Sequence, residues 1–357
     1  MPLHARTTIS IVISVYNGGK EFQNCLASLA AHRERYEELI VVNDGSTDDT
    51  ARYAEEFGAR ILQVPTRRGP AHGRNVGALA ARGDVILFLD GDVCLGDDTI
   101  SRIAQRLEDD PGLGAVFGSY DSEPSAPFPV SQFRNLLHHY VHQTGNRCAS
   151  TFWAGCGAIR RKVLLESGGF NAAYSTPCVE DLELGMRLTR LGVRIALDPS
   201  IQVKHLKRWT LWGMITTDIW RRGIPWTRLI LESHRMPNDL NLRVGARASV
   251  ALAGLIGVIL AMAAVRAVSG IPHPVTLGMG LAFLFALAAV GLLNFRFYRV
   301  VAEKRRFGLT VISLPLHLVY FLCCGTGFVF GAVIHYWGRL GLNADRAKVA
   351  IPRESEK

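Results

Sequence analysis

The chain of 357 residues lacks the marks of several protein classes. Its seven cysteines (Cys25, Cys94, Cys148, Cys156, Cys178, Cys323 and Cys324) include no CxxC pair. That scatter excludes a disulfide framework, gives no zinc-finger spacing and favours a reducing compartment. Internal repeats and low-complexity tracts are missing, which excludes a solenoid or a linker array. No GxGxxG follows the first apolar segment, where Tyr16-Asn17-Gly18-Gly19 stands instead, so dinucleotide-dependent hydride transfer is disfavoured. Ile9–Val15 is too short for the apolar core of a secretory signal, and the N-terminal region is expected to stay in the cytoplasm. Apolar residues make up 48% of the chain, which excludes a disordered one.

Charge is also missing, but only from part of the chain. Ala248–Val265 and Val275–Leu293 are uncharged apolar runs, and 307–338 contains no Lys, Arg, Asp or Glu. A helix crossing ~30 Å of hydrocarbon needs about 20 apolar residues. Residues 248–338 therefore read as a transmembrane region of about three helices, with Pro315 marking a break in the last, followed by a polar tail over 339–357. The connector 294–306 carries Arg296, Arg299, Lys304, Arg305 and Arg306 against Glu303 alone. By the positive-inside rule it faces the cytoplasm, on the side of the N-terminal domain. The expected setting is a multi-pass protein of a bacterial-type inner membrane.

The net charge of +9 is concentrated beside these runs. Residues 204–247 hold nine Lys/Arg against Asp218, Glu232 and Asp239, together with Trp209, Trp212, Trp220 and Trp226. Amphipathic rings beside cations suit the headgroup layer, so this segment reads as a membrane-interface surface, and nucleic acid is a poor partner.

Residues 1–203 alternate between two periods. Ile9–Val15, Leu39–Val42, Ile61–Val64 and Val85–Leu89 are short, continuous apolar runs. Helical patterns lie between them, such as Phe22, Leu26 and Leu29, or the stretch Gly73–Ala81. Buried strands separated by helices predict an α/β fold, with a largely parallel sheet covered on both faces. Ser122–Pro129 reads as a loop between subdomains. Ligands of such sheets bind at the carboxyl ends of the strands. Polar residues collect there: Tyr16-Asn17 after the first strand, Asp44-Gly45-Ser46 after the second, and Asp90-Gly91-Asp92 after the fourth.

Two carboxylates separated by one glycine, as in Asp90-Gly91-Asp92, can turn toward one diphosphate-bound Mg²⁺ or Mn²⁺, cations that prefer oxygen ligands. His205, after the apolar Ile201-Gln202-Val203, is a candidate third ligand. Glu180-Asp181 opens a helix whose apolar face runs through Leu184 and Leu188. The positive end of the helix dipole favours ionised carboxylates there, which a general base requires. Arg74 and Asn75, near a helix start, are placed to face a nucleotide.

Together these pieces resemble the family 2 glycosyltransferases, the inverting, nucleotide-sugar-dependent group with the GT-A fold. The resemblance rests on Val15-Tyr16-Asn17, Asn43-Asp44-Gly45-Ser46, Gly73-Arg74-Asn75, Asp90-Gly91-Asp92, Gly168-Gly169-Phe170, and Glu180-Asp181 with Arg187 behind it, in the family's order over roughly residues 7–235. It implies that Val15, Tyr16, Asn17, Asp44, Gly45 and Arg74 hold a uridine-type nucleotide. Asp90 would approach ribose and metal, and Asp92 would coordinate the metal. Asp181 would be the base, with Glu180 helping to place the acceptor. Cys156 falls in a segment that in this family forms a loop near the acceptor.

Two departures from the family pattern stand out. Ser14 replaces a proline before Val15-Tyr16-Asn17, and no QxxRW occurs. The processive members carry QxxRW on a membrane-surface helix. The corresponding stretch here is Thr217-Asp218-Ile219-Trp220-Arg221-Arg222-Gly223, where Arg221 and Arg222 remain candidates for the donor diphosphate. The expectation is transfer of one sugar to a lipid or lipid-linked acceptor. The alternatives are a membrane-anchored nucleotidyltransferase and a processive polysaccharide synthase.

Overall fold

The computed structural model of the protein describes residues 7–269, 274–304 and 307–339. Its first half is built by strict alternation: β1 (Ile9–Val15), α1 (Gly19–Ala30), β2 (Glu38–Asp44), α2 (Thr50–Phe57), β3 (Arg60–Val64), α3 (Pro70–Ala80) and β4 (Val85–Leu89). The four strands pair in parallel in the order β3-β2-β1-β4. Successive strand side chains point to opposite faces. Ile11 and Ile13 of β1 therefore join Phe22, Leu26 and Leu29 of α1 in one core. Val12, between them, joins Ala71 and Ala78 of α3 in a second core on the other face. The helix expected from Gly73 begins three residues earlier, at Pro70, because proline fits the first helical turn, whose N–H groups lack partners.

The other half of the sheet is mixed. It comprises β5 (Val93–Leu95), α4 (Thr99–Asp109), β6 (Leu113–Tyr120), α5 (Pro129–Thr144), β7 (Cys148–Ala149), β8 (Cys156–Arg160), α6 (Arg161–Glu166), α7 (Glu180–Arg190) and β9 (Arg194–His205). The strand order across the described residues is β3-β2-β1-β4-β8-β6-β9-β5, with β7 also on β9. β8 runs antiparallel to both β4 and β6, and β5 antiparallel to β9. The architecture is thus a mostly parallel mixed sheet between helical layers, as expected.

After β9 come α8 (Leu211–Thr216), a π-helical segment over Thr217–Gly223, and α9 (Ile224–Ser233). Four further helices follow: α10 (Val244–Ser269), α11 (Pro274–Leu293), α12 (Phe295–Lys304) and α13 (Phe307–Arg339). By length and composition, α10 over Val244–Val268 and α13 over Gly308–Trp337 can each cross a membrane. α11 and α12 meet at a 63° bend and supply a third span if taken as one unit. Pro315 does not break α13 as expected. The helix runs through it, and the residues beyond are packed on both the π segment and α9. Neighbouring helices can support a proline inside an apolar helix. Arg305, Arg306 and residues 340–357, most of the expected polar tail, lie outside the described residues.

The apolar helices are joined to the sheet domain by a third core. Phe133 and Leu136 of α5 pack with Trp209, with Phe297 of α12 and with Phe321 of α13. At the same junction two backbones meet: a Cβ added to Gly327 of α13 would lie 2.7 Å from the Cα of Gly223. Only glycine permits that approach, which seats the π segment directly on α13.

Candidate active site

One cavity of about 630 Å³ opens along the carboxyl ends of the strands. Its walls include Val15, Tyr16, Asn17, Asp44, Arg74, Asp90, Asp92, Glu180, Asp181, His205, Arg221 and Arg222. Twelve of the residues singled out from the sequence therefore share one site, although they come from β1, β2, α3, the turn after β4, α7, β9 and the π segment. Gly45 is not on the walls. It adopts φ +75°, and a Cβ there would lie 2.8 Å from the Arg67 amide nitrogen. Its absent side chain lets the 66–69 loop close in.

Asp44 secures the same loop. Its carboxylate accepts hydrogen bonds from the amides of Arg68 and Gly69, both at 2.8 Å. The loop carries Arg67 over the exposed ring of Tyr16, with the guanidinium carbon 4.1 Å from the ring centroid. That pair forms a planar, cationic rim on the β1–β2 side of the cavity.

Strand pairing explains how Asp92 and His205 meet across more than a hundred residues. β5 begins one residue after Asp92 and runs antiparallel to the end of β9, with Val93 opposite His205. The Leu206 amide donates to the Asp92 carbonyl at 2.8 Å. His205 Nε2 then lies 3.5 Å from Asp92 Oδ2, and its ring stacks on Tyr120 at 4.2 Å between centroids. Burial pushes the Asp92 carboxyl up, but the hydrogen bond and charge of His205, with Lys207 beyond, hold it below its ordinary value.

Asp90 does not join them as a third ligand. Its carboxylate takes a 2.9 Å hydrogen bond from Arg74, whose other arm donates to Glu180 at 2.9 Å. Arg74 is therefore turned onto two acids of the protein rather than wholly toward a nucleotide, and its guanidinium also faces Phe170. Burial raises the Asp90 carboxyl, Arg74 opposes this, and Asp92 adds to the rise. Among the described residues, no three His, Cys, Asp or Glu side chains converge as a metal cluster. Asp92 and His205 nevertheless fit a Mg²⁺ or Mn²⁺ ion that draws its remaining oxygens from a bound diphosphate, a common arrangement for these cations.

Glu180 and Asp181 have different surroundings although adjacent. Glu180 is buried, and both of its oxygens are engaged, one by Arg74 and the other by the Cys178 amide at 2.8 Å. It positions Arg74 and the start of α7 rather than offering a free oxygen. Among the described residues, Asp181 accepts only from backbone amides, Ala154 at 3.2 Å and Leu182 at 2.8 Å. The helix start was expected to keep it readily ionised. Burial and the neighbouring Glu180 instead raise its carboxyl to about 7, with Arg74 and the Ala154 amide pulling the other way.

Asn75 is absent from the walls. Its amide donates to the Phe170 carbonyl at 2.7 Å and accepts from the Phe170 amide at 2.8 Å, fixing the Gly168-Gly169-Phe170 turn. Cys156 is also off the walls, fully buried in β8, and burial pushes its thiol up to about 12.

The basic, tryptophan-rich segment divides in two. Trp212 and Trp220 are exposed, whereas Trp209 is buried under the Arg134 guanidinium. Trp226, Lys207, Arg208, Arg221 and Arg222 line the cavity. Arg134 on α5 forms a buried ion pair with Asp218, one turn before Arg221 and Arg222 on the π segment. Sequence reasoning missed Arg67 and the role of Lys207 as a cavity residue. It also missed His138, His142, Tyr120 and Trp153 on the wall. Only Arg134, His138 and His142 had a readable signal, their spacing of four along one helix face.

Comparison with known proteins bears on the family and the fold. Residues 10–168 match the model described as Glycosyl transferase family 2. The chain carries a family 2 glycosyltransferase domain. An "Uncharacterized glycosyltransferase" of Haemophilus influenzae is 26% identical over 192 residues, covering 50% of this chain and 61% of that protein. A poly-beta-1,6-N-acetyl-D-glucosamine synthase of Staphylococcus epidermidis is 30% identical over 229 residues, covering 62% of this chain and 54% of the synthase. The chain thus matches little more than half the length of these curated relatives. Among solved structures, the mannosyltransferase PcManGT of Pyrobaculum calidifontis, in complex with GDP-Man and Mn²⁺, has a TM-score of 0.54 at 16% identity, covering 94% of this chain and 89% of that one. That likeness is one of fold, the GT-A fold followed here by apolar helices. The family match ends before α7 and β9, so Asp181 and His205 stand on the geometry alone.

Proposed function

We propose that the protein is a membrane-bound inverting glycosyltransferase that moves one sugar from a nucleoside-diphosphate sugar, of uridine type, to a lipid or lipid-linked acceptor. The observation that carries the reading is the single cavity in which the Asp92–His205 pair, the Tyr16–Arg67 rim and Asp181 face a common space. The stacked Tyr16–Arg67 pair offers the nucleobase one planar face, with Val15, Asn17 and the loop held by Asp44 and Gly45 shaping the rest of that end. Arg221, Arg222 and Lys207 attract the diphosphate. Mg²⁺ or Mn²⁺ held by Asp92 and His205 would neutralise charge on the departing diphosphate. Arg74, clamped by Asp90 and Glu180, keeps the cavity floor rigid.

Asp181 accepts the proton of the acceptor hydroxyl while that oxygen attacks the anomeric carbon from the side opposite the diphosphate. A carboxylate titrating near 7 is matched to that task at neutral pH. One displacement inverts the configuration. The catalytic domain, residues 1–203, faces the cytoplasm in this reading, with 204–247 at the interface. The apolar helices within 248–338 hold it in an inner membrane. Absence of QxxRW supports addition of a single sugar, although one relative is named as a polymer synthase.

The direct test incubates the purified protein and a native lipid extract with labelled nucleotide sugars and identifies labelled lipid by mass. The expected products are free nucleoside diphosphate and a lipid one hexose heavier. Release of pyrophosphate would instead indicate a nucleotidyltransferase, and a ladder of products a processive synthase.

A further inference from the structure

The far wall of the cavity is made of rings. Tyr120, at the end of β6, carries His205 stacked on one side and the Trp153 ring edge-on at 4.9 Å. His138 and His142 of α5 complete the wall, 4.2 Å apart by centroid and 5.3 and 5.1 Å from Trp153. All five side chains line the cavity. The donor-side roles above use only His205.

The polar atoms of this wall are those of neutral imidazoles. His142 Nδ1 lies 3.0 Å from the Gly118 carbonyl, so it carries the proton and leaves Nε2 as an acceptor. His138 Nδ1 is buried with no hydrogen-bond partner among the described residues. That atom is enclosed by protein, which leaves Nε2 as the ring nitrogen His138 can offer to the cavity. Burial is the chief reason that both rings resist protonation, and Arg222 nearby opposes it further; His142 is lowered to about 4 and His138 falls well below its ordinary value. A wall built for phosphate would present charge. Flat apolar faces with a few unprotonated ring nitrogens suit a ligand with apolar faces and hydroxyl edges.

We propose that His138, His142, Tyr120 and Trp153 form a subsite for a neutral hexose ring carried by the acceptor, so that the acceptor is a glycosylated lipid rather than a simple lipid phosphate. The assignment to the acceptor rests on the proposed function. Within the cavity this wall stands on the α5 side, where α5 packs against α12 and α13, away from the Tyr16–Arg67 rim. Trp153 adjoins Ala154, whose amide holds Asp181, so a ring seated on the wall is next to the base.

The test uses the whole protein in lipid nanodiscs free of maltoside detergent, which would compete. Saturation-transfer NMR is recorded with hexyl β-D-glucopyranoside, hexyl β-D-galactopyranoside, hexyl α-D-mannopyranoside and hexyl phosphate as probes. Ring protons of at least one glycoside should receive saturation that hexyl phosphate does not displace. His138→Ala should reduce that signal at least fivefold, and His138→Phe, which keeps a ring face but no nitrogen, should reduce it less. UDP affinity by calorimetry should be the same in both variants, showing that the fold persists. Saturation confined to the alkyl chain, displacement by hexyl phosphate, or full glycoside signal in both variants would overturn the subsite. Failure of the wild-type protein to bind UDP would count against the glycosyltransferase reading, leaving the glycoside result to be judged separately.

Discussion

The two ends of the cavity are built in contrasting ways. The β1–β2 end is backbone work: Asp44 holds loop amides, Asn17 sits at φ 49° with its amide on Ser46, and Tyr16 and Arg67 remain accessible. The α5 end is side-chain work: stacked rings, a buried Arg134–Asp218 pair and a π segment seated on an apolar helix. Between them lie the acids, Glu180 buried and Asp90, Asp92 and Asp181 half-buried. One end can thus tolerate substitution of an exposed group, while the middle and the α5 end depend on buried partners, whose loss is far more costly.

Substitutions can break this contrast, beginning with the largest effect. Asp181→Asn removes the proposed base without changing shape. Sugar transfer should fall by roughly 10²–10⁴-fold, while UDP affinity stays at the wild-type value. Undiminished turnover would exclude Asp181 as the base. Next comes Arg74→Met, which leaves the Glu180 carboxylate buried, and that of Asp90 half-buried, without their shared cation. A loss of about 3–5 kcal/mol is expected, read as a large drop in melting temperature. Asp218→Asn should lower stability in the same way and also raise the donor KM, because the segment carrying Arg221 and Arg222 is freed.

Acidity sharpens the comparison further. With its carboxyl raised to about 7, Asp181 is increasingly protonated as pH falls, so kcat/KM should drop about tenfold per unit below 7 and level off above it. The stability consequence has the opposite sign. The folded protein holds this proton more tightly than the unfolded chain, whose carboxyl lies near 3.8. The resulting stabilisation is present at low pH and is lost as pH rises through about 7. Asp181→Asn should therefore raise the melting temperature at pH 8 and have little effect at pH 4. The smallest effect belongs to the exposed rim: Arg67→Ala should weaken UDP binding only about two- to fivefold, as an accessible cation–π contact is worth ~0.5–1 kcal/mol.

What could be read in the sequence follows the same division. β1, β2 and β4 are continuous apolar runs, so their strand ends, and with them Tyr16, Asp44 and Asp92, were locatable by eye. β6 and β8 were not: Leu113–Tyr120 contains two glycines and a serine, and Cys156–Arg160 contains a glycine and ends in an arginine. Their burial comes from neighbours distant in the chain. Asp90, Arg74 and Glu180 were recognised as site residues, but not that they would bind one another, since that depends on α3, β4 and α7 meeting. The apolar helices were legible from length alone. The continuity of α13 through Pro315 was not, because support for a proline comes from the helices beside it.

The Arg134–Asp218 pair carries a practical consequence. Arg134 is packed between Trp209 and Tyr320, so a residue of the sheet domain is gripped by the apolar helix α13 itself. A fragment ending after β9 would keep the Tyr16–Arg67 rim and the acids but lose Asp218, Arg221, Arg222 and the scaffold beneath α5. Such a truncation would yield a cup with one side missing, and its failure to turn over would speak of geometry rather than of an absent lipid.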